Sequence, residues 1–99
     1  MPATPVVQLE MSLSRAEFLR GLNHLANEME SFSQVDESEW ELCLTSHCIS
    51  ISFHERTPRH AGALRLPRAR IVLDLRALSP DRRAAFLRRF RRTFQRGGG

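Results

Sequence analysis

The segment Trp40–His54, WELCLTSHCISISFH, alternates apolar and polar side chains in two consecutive runs. A period of two residues is typical of strands that bury one face against a core. The apolar positions are Trp40, Leu42, Leu44, Ile49, Ile51 and Phe53. Two such runs separated by Ser46-His47 predict an antiparallel hairpin with its turn at those two residues.

Further strands are predicted on both sides of this hairpin. Pro5 to Met11 alternates in the same way and predicts an N-terminal strand. After the hairpin, Ala63–Leu66 and Ala69–Leu75 predict two more strands, separated by Pro67 because proline favours strand ends and edges. In the first of these we expect Leu64 and Leu66 to point into the core.

Two polar segments are predicted as loops. Ser31–Ser38 is polar and acidic, and Glu55–Gly62 is rich in arginine, histidine, proline and glycine.

The first helix has a well-marked start. Ser14 and Glu17 have the spacing of a capping box, and Leu13 and Phe18 that of a hydrophobic staple. Apolar residues then recur at helical spacing, and the helix is predicted to end between Met29 and Ser33.

A second helix is predicted near the C-terminus. Ser79-Pro80-Asp81 combines a capping serine, a proline at the first helical position and an acid in the first turn. The apolar stripe of this helix is Phe86, Leu87, Phe90 and Phe94. Arg83 falls within the stripe and is expected to extend its stem or to meet an acid. Gly97 is predicted to end the helix.

The predicted order of elements is β-α-β-β-β-β-α. The economical packing is a single antiparallel sheet of four to five strands with both helices on one face, an α+β fold. This order resembles one repeat of the TATA-binding-protein-like fold in topology over most of the chain, and that resemblance implies a fold but no function. The 99 residues predict a single domain over 1–99, with frayed ends at 1–4 and 97–99.

Charge is unevenly distributed along the chain. The first 55 residues contain two arginines and nine acids, whereas residues 56–99 contain thirteen arginines and two acids. There is no lysine. The forked guanidinium group suits contacts to phosphate or carboxylate, although a bias in the coding sequence would produce the same composition.

The second helix carries seven arginines within fifteen residues. Arg82, Arg89 and Arg96 recur every seven residues on one flank of the apolar stripe, with Arg92 beside them and Arg88 facing away from the core. Because like charges at this spacing repel one another, a counter-charge is expected. We identify these five residues as the candidate binding site, together with Arg56 and Arg59 of the preceding segment, where clustered arginine can hold an anion.

Three sources of counter-charge are compatible with the sequence. An acidic run from Glu28 to Glu41 could pair with the arginines within the monomer or in a second copy. An acidic protein could take the same role. Nucleic acid is the alternative, since an arginine row can follow phosphates. We expect a non-enzymatic interaction module that contacts an acidic protein or forms a homodimer, and an enzyme is less favoured because a short chain has little room for a pocket.

The two cysteines and His54 form a weaker candidate. With the turn at Ser46-His47, Cys43 and Cys48 would be diagonal neighbours, too far apart for an easy disulfide, and are expected as reduced thiols. A small accessory subunit, or a thiol or metal protein using Cys43, Cys48 and His54, is therefore a second alternative. Their spacing matches no strong zinc pattern, so no metal ligands, catalytic residues or cofactor are predicted.

The cellular location is predicted from the N-terminus and from the lengths of the apolar stretches. No signal peptide or apolar stretch long enough to span a membrane is evident, so a cytoplasmic location without membrane contact is expected. The tail Arg96-Gly97-Gly98-Gly99 resembles that of ubiquitin-like modifiers over these residues only, and a preceding helix distinguishes it from them.

Overall fold

The computed structural model describes residues 5–44 and 47–98, with side chains at all of these positions except 44 and 95–98. Five strands and two helices follow one another along the chain. They are β1 (Val6–Met11), α1 (Arg15–Ala26), β2 (Ser31–Asp36), β3 (Glu39–Leu44), β4 (His47–Ala61), β5 (Leu64–Asp74) and α2 (Pro80–Gly98). The predicted frayed segment 1–4 lies outside the described residues, as does Gly99.

All five strands form one antiparallel sheet in the order β1-β5-β4-β3-β2. The predicted α+β fold, a single antiparallel sheet with two helices, is confirmed. Both helices contribute to one core with the inward side chains of the sheet. The first and last strands of the sheet, β1 and β2, therefore have one edge each without a neighbouring strand.

Phe18 of α1 lies at the centre of this core and is fully buried. Its ring centroid is 4.7 Å from that of Phe53, 5.3 Å from that of Trp40 and 5.7 Å from that of Phe94. These contacts join α1 to the sheet and to α2 at the same point. The alternation predicted from Trp40 to Phe53 therefore places its described apolar side chains where the helices cover them.

The predicted start of α1 is confirmed in detail. The Oγ of Ser14 accepts a hydrogen bond from the backbone N–H of Glu17, and the Glu17 carboxylate accepts one from the N–H of Ser14. The helix ends at Ala26, with Asn27 as its C-cap, earlier than the predicted range from Met29 to Ser33. Met29 still packs against the core although it follows the helix.

Residues 31–36 form a strand, so the predicted loop over Ser31–Ser38 is wrong. β2 pairs with β3 from Ser31 opposite Cys43 to Asp36 opposite Glu39. Every residue of β2 is exposed. The strand is held by backbone pairing at the edge of the sheet, and its side chains bury no face that would give a hydrophobic period.

The second predicted loop and the two short strands after it are also corrected. β4 continues to Ala61, and β5 is one strand that passes through Pro67 without a break. The two strands are joined at Gly62, whose φ of 64° lies in the left-handed region that glycine adopts without strain. Leu64 and Leu66 are exposed by 65% and 38%, so the prediction that they point into the core is wrong.

Candidate functional site

The start of α2 agrees with its predicted signals. The Oγ of Ser79 accepts a hydrogen bond from the N–H of Arg82 at 3.4 Å, and the Ser79 carbonyl accepts one from the N–H of Arg83 at 2.8 Å. Asp81 lies in the first turn, where its charge complements the helix dipole. The helix extends to Gly98, one residue beyond the glycine predicted to end it.

The apolar stripe of α2 is fixed against the core. Phe86, Phe90 and Phe94 are buried, and Leu87 is partly buried. Arg83, within this stripe, is half-buried and its Nε donates a hydrogen bond to the carbonyl of Leu75 at 3.2 Å. The charged residue in the apolar stripe is thus accommodated by a backbone acceptor at the end of the sheet.

The arginines beside the stripe are exposed. Arg82, Arg88, Arg89 and Arg92 all lie on the surface of α2, as does Arg91. The side chain of Arg96 lies outside the described residues. We call Arg82, Arg88, Arg89, Arg91 and Arg92 the α2 arginine surface.

One member of the α2 arginine surface meets an acid. Arg89 contacts Glu28 with an N–O distance of 2.9 Å, and both side chains are about half exposed, at 45% and 56%. An exposed pair of this kind contributes little to stability. Among the described side chains, the other four arginines of this surface form no ion pair. The sequence allowed the arginines to pair with acids of the same monomer. Of the five arginines of this surface, Arg89 is the one that does so.

The acidic run lies mainly on β2, β3 and the turn between them. We call its five members after Glu28 the acidic edge: Glu30, Asp36, Glu37, Glu39 and Glu41. None of these carboxylates forms an ion pair with a described side chain. Asp36 instead accepts a hydrogen bond from the N–H of Ser38 at 2.8 Å, which fixes the turn. Among the described side chains, the acidic edge and the α2 arginine surface therefore form no ion pair with each other.

Arg56 and Arg59 lie on strand β4, in the segment that was predicted as a loop. Arg56 is opposite Arg68 on β5, and both approach the carboxylate of Glu10 at 3.5 Å. Arg70 also contacts Glu10, at 3.3 Å, so that three guanidinium groups share one carboxylate. Arg59 is exposed and lies opposite Leu66 on β5. It belongs to the sheet, whereas the α2 arginine surface belongs to a helix.

Two further arginines have internal partners that the sequence did not indicate. Arg15 donates a hydrogen bond to the carbonyl of Glu37 at 2.6 Å and stacks over Trp40, 5.4 Å from the ring centroid. Arg76 donates three hydrogen bonds to the carboxylate of Asp74, two from its guanidinium group and one from its backbone N–H, the shortest at 2.7 Å. The hydrogen bonds and charge of Arg76 lower the pKa of Asp74, and the same contacts raise the pKa of Arg76.

The cysteines are joined, which corrects the prediction of reduced thiols. Cys43 lies directly opposite Cys48, with a Cα–Cα distance of 4.0 Å and a disulfide between them. His47 belongs to β4 and pairs with Leu44, so it is not a turn residue as predicted, and Ser46, the other predicted turn residue, lies outside the described residues. Disulfides persist in oxidising compartments and are rare in the cytoplasm. The cytoplasmic location predicted from the sequence stays a prediction.

The disulfide disfavours a metal site at Cys43 and Cys48. Glu41, Cys43 and Cys48 are the described metal-binding side chains whose ligand atoms approach within 4.8 Å of one another. The disulfide occupies both sulfurs, and a thiolate is the form that binds metal. His54 lies six positions beyond Cys48 on the same strand, roughly 20 Å away at the usual rise per residue.

A surface cavity of about 220 Å³ lies where β4 and β5 leave the rest of the sheet. Its lining includes Leu13 and Arg15 near the start of α1, and Glu55, Arg65 and Pro67 from the two strands. The cavity is smaller than the roughly 300–1,000 Å³ of most small-molecule sites. The arginines around it are those of the sheet and α1, so it is separate from the α2 arginine surface.

Comparisons with protein-family models, curated proteins and solved structures find no match for this chain. Within the described part of the chain, neither helix is both long and apolar enough to cross a membrane.

Proposed function

We propose that this protein is a non-enzymatic interaction module whose α2 arginine surface contacts an acidic protein surface, supplied by a second copy of the chain. The observation that carries the proposal is the absence of an ion pair at Arg82, Arg88, Arg91 and Arg92 among the described side chains.

The arrangement of these arginines favours an external counter-charge. Arg88, Arg91 and Arg92 occupy positions i, i+3 and i+4 of α2, where neighbouring side chains are roughly 5–6 Å apart at Cβ. Like charges at this spacing destabilise a helix by a few tenths of a kcal/mol per pair, about 0.2–0.5. A carboxylate surface placed against them would offset this repulsion and replace it with forked hydrogen bonds.

The acidic edge supplies a complementary surface on the same chain. Its carboxylates lie at the β2 side of the sheet and have no arginine partner among the described side chains. Pairing of two β2 strands would bring acids together, so direct edge-to-edge association is disfavoured. The contact that brings opposite charges together places α2 of one copy on the acidic edge of another. A two-fold dimer would make this contact twice.

Sedimentation velocity over a range of protein concentrations tests the proposal. We expect association at about 0.1 M salt and its loss at about 1 M, since the Debye length falls from about 10 Å to about 3 Å. A protein that stays monomeric at both salt concentrations would overturn self-association.

Two half-variants test which surfaces meet. The first carries Arg88→Gln and Arg92→Gln, and the second carries Glu39→Gln and Glu41→Gln. We expect each alone to associate weakly, while an equimolar mixture associates because the first retains the acidic edge and the second retains the arginines. Arg20→Gln on the exposed side of α1 is the matched control and should associate like the unaltered protein.

Nucleic acid is the second candidate for the α2 arginine surface, because its exposed arginines could contact phosphates instead of carboxylates. The same variants distinguish binding to nucleic acid from association with a second copy. If the unaltered protein is monomeric but binds mixed-sequence DNA, and Arg88→Gln with Arg92→Gln removes that binding, the surface serves phosphate rather than a second copy.

A further inference from the structure

Strands β4 and β5 extend beyond the rest of the sheet as a two-stranded ribbon. The last pair between β3 and β4 is Glu39 with Ser52, and the last pair between β1 and β5 is Met11 with Ala69. β4 and β5 remain paired beyond these points, to Ala61 opposite Leu64. We call residues 56–68 the β4–β5 ribbon. Each of its strands has one neighbour, so the ribbon projects with both edges exposed.

The β4–β5 ribbon contains four arginines, one histidine and no acid. At the base of the ribbon, Arg56 and Arg68 form ion pairs with the carboxylate of Glu10, which they share with Arg70. Arg59 and Arg65, nearer its end, form no ion pair with a described side chain. The charges of Arg59 and Arg65 are therefore not compensated by a described carboxylate.

Two leucines near the end of the ribbon are exposed on one face. Leu64 and Leu66 are two positions apart on β5, so they point to the same side, and they are exposed by 65% and 38%. Arg59 lies opposite Leu66 and shares this face, whereas Arg65 lies between the leucines and points to the other face. Ala61 lies opposite Leu64, and Gly62 makes the tight turn between the strands. Exposed leucines on an arginine-rich projection favour a ligand that presents anionic groups next to apolar surface.

Duplex DNA has this combination of surfaces. Its phosphates border grooves whose floor presents base edges and thymine methyl groups, and proteins insert leucine side chains between base steps. Paired strands are about 4.8 Å apart, so a two-stranded ribbon fits a major groove about 12 Å wide. The deep, narrow major groove of A-form RNA does not admit protein side chains in this way.

We propose that the leucine face of the β4–β5 ribbon enters a groove of duplex DNA, with Leu64 and Leu66 toward the bases. Arg59 on the same face and Arg65, reaching around from the opposite face, contact the phosphates that border the groove. This site is separate from the α2 arginine surface, and it requires neither a second copy nor an acidic protein partner.

Fluorescence anisotropy with a labelled mixed-sequence DNA duplex tests the site. We expect Arg59→Gln with Arg65→Gln to weaken binding about tenfold or more at moderate salt and to reduce the salt slope by about 2, because each phosphate contact contributes about 0.9. Leu64→Ser with Leu66→Ser should weaken binding with an unchanged salt slope. An RNA duplex of the same length should bind more weakly than DNA.

The matched control is Arg20→Gln on the exposed side of α1, which removes charge from a surface outside both proposed sites and should leave DNA binding unchanged. DNA binding that is lost with Arg88→Gln and Arg92→Gln on α2, but not with Arg59→Gln and Arg65→Gln, would overturn the assignment to the ribbon. No detectable binding at low salt would also overturn it. Ribbon variants that aggregate, with no DNA binding by the unaltered protein, would show that the arginines protect exposed strand edges. Circular dichroism checks that every variant is folded.

Discussion

The ring of Phe94 lies directly against the backbone of Gly21, so that a Cβ atom at residue 21 would overlap the ring and come within 2.7 Å of its Cζ. Gly21 is within α1, where alanine is ordinarily about 1 kcal/mol more favourable than glycine. Phe94 cannot move aside easily because it is buried against Phe18 and Phe90. The close approach of the two helices therefore depends on a glycine at this position.

We expect Gly21→Ala to lower the free energy of unfolding by about 1–3 kcal/mol, because overpacking outweighs the gain in helix propensity. Urea denaturation followed by circular dichroism measures the change. Arg20→Ala, at the exposed neighbouring position, should alter stability by no more than about 0.5 kcal/mol. A Gly21→Ala protein as stable as the unaltered one would show that the helices separate at little cost.

Ser14→Ala should destabilise the protein by about 1 kcal/mol, since it removes the acceptor for the N–H of Glu17. Ser14→Asp should retain most of the stability, because aspartate also caps helices. Thermal denaturation of the two variants beside the unaltered protein gives the comparison. Equal losses in both would indicate that the Oγ of Ser14 contributes through packing rather than capping.

The Asp74–Arg76 contact predicts a specific dependence on pH. Because Arg76 lowers the pKa of Asp74 in the folded protein, the ionised carboxylate stabilises the fold above the ordinary pKa of an aspartate, 3.8. This contribution should be lost as the pH falls through the lowered value. We expect Asp74→Asn to be less stable than the unaltered protein at pH near 7, with the difference shrinking in acid. A difference that does not change with pH would contradict this.

Reduction of the disulfide should lower stability by about 2 kcal/mol, because Cys43 and Cys48 enclose a short loop. Denaturation with and without dithiothreitol measures the loss. The Cys43→Ser, Cys48→Ser double variant should match the reduced protein and be insensitive to dithiothreitol. Free thiols in the native, non-reduced protein would show that the bond does not form.

The elements that bury a face were predictable from sequence, whereas those without a buried face were not. Capping residues and apolar periods located the starts of both helices and the apolar positions of β3 and β4 that enter the core. β2 has six exposed residues and depends on backbone pairing, which leaves no period in the sequence. The β4–β5 ribbon likewise has no core to face, and its polar residues and Pro58 favoured a loop.

The pairing of the cysteines was not predictable from hydrophobic alternation. The expected register made Cys43 and Cys48 diagonal neighbours, and the observed one places them directly opposite each other. A shift of two residues keeps every side chain on its original face of the sheet, so Leu42 and Ile49 are buried in either register. The candidate site was predicted only in part, since the arginines of α2 were identified but the internal partners of Arg15 and Arg76 depend on contacts between distant segments.

The position of β1 beside β5 has a consequence for the order in which the chain can fold. Strands that are consecutive in sequence pair with one another from β2 to β5. In contrast, β1 pairs with β5, so Val6 must meet Asp74, which is 68 positions later in the sequence. Of the five strands, β1 is synthesised first but is the last able to pair, because its partner β5 is synthesised after the other four. We expect docking of β1 to be the slow step of folding, since closing the longest loop carries the largest entropic cost.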